Sequence, residues 1–212
     1  MTDKSARIFI PAVKYHVLTP YFDFFSGLLG FGRRYQKKVL STFPAPGRAA
    51  RALDAGCGSG SIAILLKKRY PAVRVYGVDA DATILSQARR KAIESKTTIL
   101  FKRAFLQRLP FSDNSFDLAY SSLVFHHLTH KAKVQAIREI HRVLKHGGTF
   151  ILSDFGPPRG LLSAAFPLFA VLFEEGGDNY RGKIPLMLSE RFTSVTIGGT
   201  YRHSIQIITA VK

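Results

Sequence analysis

Apolar residues along this chain recur with two periods. Near residue 50 a short apolar run, Ala49, Ala50, Ala52 and Leu53, ends in the carboxylate Asp54 and gives way to Gly56, Gly58 and Gly60. SIAILLKKR follows and reads as a helix over 61–69, so the stretch is strand, tight glycine turn, helix. The same alternation continues downstream. Residues 72–78 form a β-branched run ending at Asp79, and 82–95 have helical spacing, with Ile84, Leu85, Ala88 and Ile93 inward and Arg89, Arg90 and Lys91 outward. Strands are expected at 97–101 and 116–120. A helix over 131–144 carries Val134, Ile137, Ile140 and Val143 on one face and is expected to stop at Gly147 and Gly148, before a fifth strand at 149–153.

Beyond Asp154 the rhythm changes. FGPPRG reads as a loop, the apolar run 161–173 as a lid helix, EEGGDNYRG as a second loop and 184–191 as a short helix. Strands at 194–197 and 205–211 have no room for a helix between them and should pair as a hairpin. Upstream, an aromatic-rich segment with Tyr15, Tyr21, Phe22, Phe24 and Phe25 leads into Arg33, Arg34, Lys37 and Lys38. It reads as two short helices divided at Gly30 to Gly32. Strands alternating with helices imply an α/β fold: a mostly parallel sheet, helices on both faces, and an antiparallel C-terminal edge. Ligands in such sheets bind at the carboxyl ends of the strands.

The 212 residues fit a single domain over 1–212, with 1–45 as an N-terminal helical cap and 155–190 as a lid-like insertion. A hydrophobic content of 46% is that of a globular protein. The single cysteine, Cys57, excludes an internal disulfide, fits a reducing cytoplasm and reads as a small filler between loop glycines. MTDKSARIF lacks the pattern of a signal peptide, and the run 161–173, broken by Pro167, is too short to cross a bilayer. The expected location is cytoplasmic, with peripheral contact at the inner membrane face in reach. The net charge of +17 points to an anionic partner, namely a lipid surface, RNA or an acidic small molecule, or to a solubilising surface alone.

Glycines two apart let backbone N–H groups approach a ligand, and the helix start behind them favours negative charge, so the loop suits a nucleotide-like molecule. Gly58, Gly60 and Ala63 satisfy G-x-G-x-x-A, which keeps a dinucleotide in play. Asp54 ahead of glycines 56, 58 and 60, however, resembles the D-x-G-x-G-x-G motif of class I S-adenosylmethionine (SAM)-dependent methyltransferases. GVDAD at 77–81, LPFSDNSFDLAYSSLVFHHL at 109–128 and REIHRVLKHGGTFILSDF at 138–155 match further motifs of that family in the right order, with His146 where proline is usual. The chain is most similar within it to small methyltransferases of quinone biosynthesis and phospholipid N-methylation, whose N-terminal segment resembles YFDFFSGLLGFGRR.

The resemblance implies a Rossmann-like class I methyltransferase fold, SAM as cofactor and a small lipophilic acceptor, quinone-like or phospholipid-like. It implies that Asp79 binds the ribose hydroxyls, that Asp54 faces the methionine ammonium, that Gly56, Gly58 and Gly60 admit its backbone, and that Ser121 lies beneath it. Ala80, Phe105 and Leu106 complete the set around the adenine. Phe105 departs from the family, where an acidic residue is common: it can stack or pack but cannot accept a hydrogen bond from the adenine amino group. His126, His127 and Tyr21 are the candidate catalytic residues at the acceptor end, with Tyr15 and Asp154 nearby. Together with His130 the histidines do not amount to a metal site, and methyl transfer needs none. The rival readings are an RNA methyltransferase, a nicotinamide oxidoreductase and a non-catalytic SAM-binding protein. The RNA reading lacks an appended RNA module and an N-P-P-Y-like signature, YSSL standing after the fourth strand instead.

Overall fold

The computed structural model describes residues 31–45, 47, 50–158, 160, 177–202 and 204–212. Tyr15, Tyr21 and the apolar run 161–173 lie outside the described residues. Helix α1 (Arg33–Ser41) leads into β1 (Arg51–Ala55), α2 (Ser61–Arg69), β2 (Arg74–Asp79), α3 (Ala82–Glu94), β3 (Ile99–Arg103) and β4 (Phe116–Ser122). A single 3-10 turn, Phe125–His127, precedes α4 (His130–Val143) and β5 (Leu144–Phe155). Two short helices, α5 (Gly177–Tyr180) and α6 (Ile184–Ser189), connect to β6 (Ser194–Tyr201) and β7 (Ile205–Val211).

The seven strands form one sheet in the order β3-β2-β1-β4-β5-β7-β6. The first five pair in parallel, whereas β7 runs antiparallel to both β5 and β6, as the hairpin reading required. The chain winds outward from β1 to β3 and then returns to β4 on the other side of β1. This reversal opens a crevice at the carboxyl ends of β1 and β4, where open α/β sheets take ligands.

Alternation along the strands splits the core in two. Leu53, Ala55, Ala119, Phe150 and Leu152 pack with Ile137, Ile140 and Val143 of α4 and with Leu188 of α6. Ala52, Tyr120, Ile151 and Ile207 face the other way, onto Tyr35, Val39 and Leu40 of α1 and Ile62, Ala63 and Leu66 of α2. Helices therefore cover both faces of the sheet, and the central strands read as near-continuous apolar runs because successive side chains are buried on opposite faces.

Five local expectations are corrected, the first being the loop read at EEGGDNYRG, where Gly177–Tyr180 form the short helix α5. Ile93 is 77% exposed, its inward place on α3 being taken by Ala92. Lys91, read as outward, turns back to donate to Ser59 Oγ and Ser61 Oγ at 3.1 and 2.7 Å. On α4, Val134 is 37% exposed while Lys133 is wholly buried, its ammonium 3.7 Å from Asp178. Gly147 and Gly148 do not stop that helix. Leu144 already has extended dihedrals and pairs with Phe116, and the register then jumps from Phe116/Leu144 to Leu118/Thr149, so the glycines lie in a bulge at the start of a longer β5.

Candidate functional site

A cleft of about 190 Å³ opens at the reversal point, lined by the β1–α2 loop, the ends of β2 and β4, the segment after β3 and the inner face of α1. Its floor is the glycine turn. Gly56, Gly58 and Gly60 have φ of +82°, +51° and +75°, a left-handed backbone that side chains other than glycine rarely adopt. The amides of Gly56 and Cys57 both donate to Val78 O, at 2.8 and 2.9 Å, pinning the turn to β2. A Cβ on Gly56 would stand 2.5 Å from Val124 Cγ2, so this glycine also lets the β4–α4 loop close over the turn. Gly60 is shaped by packing against Phe101 and Ala88 and does not itself line the cleft. Cys57 lines it as a buried thiol, its pKa raised by burial.

Three aspartates line the cleft, two of them, Asp54 and Asp79, at strand ends. Asp54, at the end of β1, is only 2% exposed. Burial pushes its pKa up to about 8, the charge of Asp79 adds to the effect, and the neighbouring Tyr120 hydroxyl and Ala63 amide oppose it. The Tyr120 hydroxyl is itself buried and reaches no partner at ordinary hydrogen-bond geometry among the described residues. Asp79, at the end of β2, accepts from Gly58 N at 2.9 Å and Asp81 N at 3.0 Å, so it braces the glycine turn. Burial raises its pKa against the pull of those amides. The helix-capping duty falls on Asp81, which accepts from Thr83 N and Ile84 N at the start of α3.

Ala80, Phe105, Leu106 and Gln107 form the wall beyond Asp79, Phe105 with a large part of its ring exposed. Ser121 is buried below the cleft, donating to Ala55 O at 2.7 Å. Its neighbour Ser122, on the other face of β4, lines the cleft instead. The cleft residue that spacing does not reveal is Tyr35. Its hydroxyl lies 2.7 Å from Ser122 Oγ and 2.9 Å from Ser153 Oγ, inside the cleft wall, and burial raises its pKa. Its position four residues before Val39, among basic residues, was the signal available: an apolar face on a charged helix.

The opposite wall is the β4–α4 loop, held by Asp154 at the end of β5. One oxygen of Asp154 accepts from Val124 N and Phe125 N at 3.0 and 2.6 Å; the other meets His126 Nδ1 and Phe155 N, each at 2.7 Å. Burial alone would raise the Asp154 pKa, but His126 and the backbone donors outweigh it and hold the carboxyl below its usual range. His126 is thus buried behind the wall. His127, its ring 4.0 Å from that of His126, is the histidine that lines the cleft. Burial, reinforced by His126, pushes the His127 pKa down to about 3, so it is a neutral imidazole. His130 lies outside, bonded to Asp178 at 2.9 Å. Of the sequence candidates, Asp54, Gly56, Gly58, Asp79, Ala80, Phe105, Leu106 and His127 line one cleft. Gly60, Ser121 and His126 support it from behind.

Glycines with left-handed backbone, two strand-end carboxyls and a buried acid with no cation beside it among the described residues fit a nucleoside ligand bearing an ammonium group. Comparison with known proteins agrees. Residues 52–148 match the model of a family described as a methyltransferase domain. The demethylmenaquinone methyltransferase of Thermus thermophilus is 34% identical over 145 residues, 66% of this chain and 64% of that protein. The 2-phytyl-1,4-naphtoquinone methyltransferase of Nostoc punctiforme is 31% identical over 153 residues, 70% of this chain and 66% of that protein. The matched stretch thus spans somewhat under two-thirds of these relatives. In fold, phosphoethanolamine N-methyltransferase 2 of Haemonchus contortus, solved in complex with S-adenosyl-L-methionine, superimposes with a TM-score of 0.69 at 18% identity, over 85% of this chain and 53% of that one. By sequence, residues 52–148 are a methyltransferase domain, and the chain has the fold of the class I SAM-dependent methyltransferases.

Proposed function

We propose that the protein is a SAM-dependent methyltransferase acting on a small lipophilic, quinone-like acceptor. The observation that carries the cofactor half is Asp54: a buried, cleft-facing carboxyl with a pKa near 8 lacks the cation that would ionise it, and the ammonium of the methionine moiety is such a cation. The acceptor half is supported by relatives named for naphthoquinone substrates and by the apolar wall of Phe31, Ile62, Leu123, Val124 and Leu128.

When bound, SAM supplies a methyl group already activated on a sulfonium. The protein's share is alignment and exclusion of water. Asp54 would give up its proton to solvent and pair with the ammonium, while Asp79 would offer its oxygens to the ribose hydroxyls. Phe105 would cover the adenine by packing, with Gln107 beside it as a polar group. At the acceptor end, His127 presents a neutral imidazole able to accept a hydrogen bond from a ring hydroxyl, and Asp154 and His126 fix the loop that carries it. Tyr35 and Ser122 supply further hydroxyls on the opposite side.

Isothermal calorimetry with SAM and S-adenosylhomocysteine tests the cofactor assignment. Both are expected to bind the native protein, and Asp79→Ala is expected to bind at least tenfold more weakly. Absence of binding by the native protein would sink the proposal. Transfer of labelled methyl from SAM into a demethylated naphthoquinol, and into no RNA fraction, is the expected outcome for the acceptor.

A further inference from the structure

The excess positive charge of this chain has a local concentration that the cleft does not use. Between Asp23 and Asp54 the sequence contains no acidic residue. The described heart of that stretch is α1, RRYQKKVLS, and its two sides are chemically opposite. At 100° per residue, Arg33, Arg34, Lys37 and Lys38 fall within one arc, and all four are exposed. Tyr35, Val39 and Leu40 fall on the other arc and are buried. No acidic side chain occupies its first turn, and among the described residues the four cationic side chains make no ion pair or hydrogen bond. Lys68 and Arg69, in the last turn of α2 against which α1 packs, are exposed as well. A helix with an all-cationic outer arc is not stabilised by pairing along its own surface, and its charges repel one another.

The place of the helix adds to this. Phe31, Tyr35 and Gln36, on or just before α1, line the cleft. The cationic arc is therefore carried by the element that forms one lip of the ligand site.

We infer that the outer face of α1 is a docking surface for an anionic lipid bilayer, holding the cleft beside the phase in which a lipophilic acceptor resides. The choice of bilayer over nucleic acid rests on the acceptor reading above. A polyanion alone would satisfy the charges, but the wall behind them is apolar and aromatic, and among the described residues no row of exposed aromatic rings accompanies the cations as a stacking platform for bases. Attraction to an anionic leaflet is worth about 1 kcal/mol per Lys or Arg at the surface, or about fivefold in partitioning for each. Four such cations suffice for reversible association that salt dissolves, since the screening length falls from about 10 Å at 0.1 M to about 3 Å at 1 M.

The test is sedimentation with vesicles of phosphatidylcholine containing three parts in ten of phosphatidylglycerol, against vesicles of phosphatidylcholine alone, at 0.1 M and 1 M salt. The protein is expected to pellet with the first at low salt only. The fourfold variant Arg33→Gln, Arg34→Gln, Lys37→Gln, Lys38→Gln should lose at least thirtyfold in partitioning while still binding S-adenosylhomocysteine. A control of equal charge loss at exposed positions elsewhere, Arg74→Gln, Lys96→Gln, Arg108→Gln, Lys131→Gln, should lose less than fivefold. If the fourfold variant does not fold, the pairs Arg33→Gln with Arg34→Gln and Lys37→Gln with Lys38→Gln should each lose fivefold or more. Failure of the native protein to pellet, equal pelleting with neutral vesicles, equal loss in the control, or displacement from vesicles by an equal charge concentration of single-stranded RNA would overturn the inference. Calorimetry with S-adenosylhomocysteine reads the methyltransferase assignment separately, so either claim can fail while the other stands.

Discussion

The most informative single residue is Asp54, because its environment is unfavourable to the very charge its position calls for. Burial with Asp79 close by holds it protonated near neutrality, and a bound ammonium reverses the balance. Cofactor binding near pH 7 should then release close to one proton from this carboxyl. The measurement is calorimetry of S-adenosylhomocysteine binding in phosphate and in Tris at pH 7: the observed enthalpies should differ by the buffers' ionisation enthalpies in the native protein. In Asp54→Asn they should agree, and affinity should be at least tenfold lower. Equal enthalpies in the native protein would show that Asp54 is already ionised or does not meet the ammonium. His127 is the counterpart at the other end of the cleft, a group kept uncharged by the same dry surroundings.

Among the elements, the glycine turn shows how closely local backbone and cleft wall depend on each other. Gly56 carries both a left-handed φ and a near contact with Val124, whereas Gly147 has a left-handed φ with open space around it. Gly56→Ala should therefore cost about 2–3 kcal/mol and lower Tm by roughly 4–12 °C, and Gly147→Ala about 1 kcal/mol, strain alone. Equal losses in a thermal melt would show that the contact with Val124 is relieved at no cost. The order and type of the strands from β1 to β7 were legible, though α5 lies where a loop was read: the central strands leave apolar runs because both their faces are covered, and the helices, buried on one side, leave a period near 3.6. What was not legible depended on partners far away in the chain. Lys133 sits inside because Asp178 comes to meet it; Gly147 and Gly148 look like a helix stop but form a bulge opposite β4; and Ser122, which lines the cleft above Ser121, went unnoticed because periodicity does not say which side of a doubly covered sheet holds the cleft. Within the site, the motif residues Asp54, Asp79 and the glycines could be found from spacing alone. Tyr35 could not, since it reaches across 118 positions to Ser153; Asp154 was found, but not its role of tying its own strand to a loop about 30 positions earlier.

For the whole molecule, the buried groups predict an unusual dependence of stability on pH. His127 titrates near 3 when folded and near 6.5 when unfolded, so the unfolded chain binds more protons between these values and stability rises with pH there. Asp54 titrates near 8 when folded and near 4 when unfolded, so the folded chain binds more protons and stability falls between about 4 and 8. The two slopes oppose each other from about 4 to 6.5, and only the fall survives from about 6.5 to 8. Thermal melts across this range should show a plateau followed by a decline, and Asp54→Asn should remove the decline. A decline of unchanged depth in that variant would assign it to other groups. The strand order carries a consequence for assembly. β7 is the last strand in sequence but lies inside the sheet, between β5 and β6. Until it is in place, β5 presents a long open ladder to its surroundings and β6 has no neighbour to pair with. The seven residues of β7 thus decide when β5 and β6 stop presenting adhesive edges to one another and to other chains.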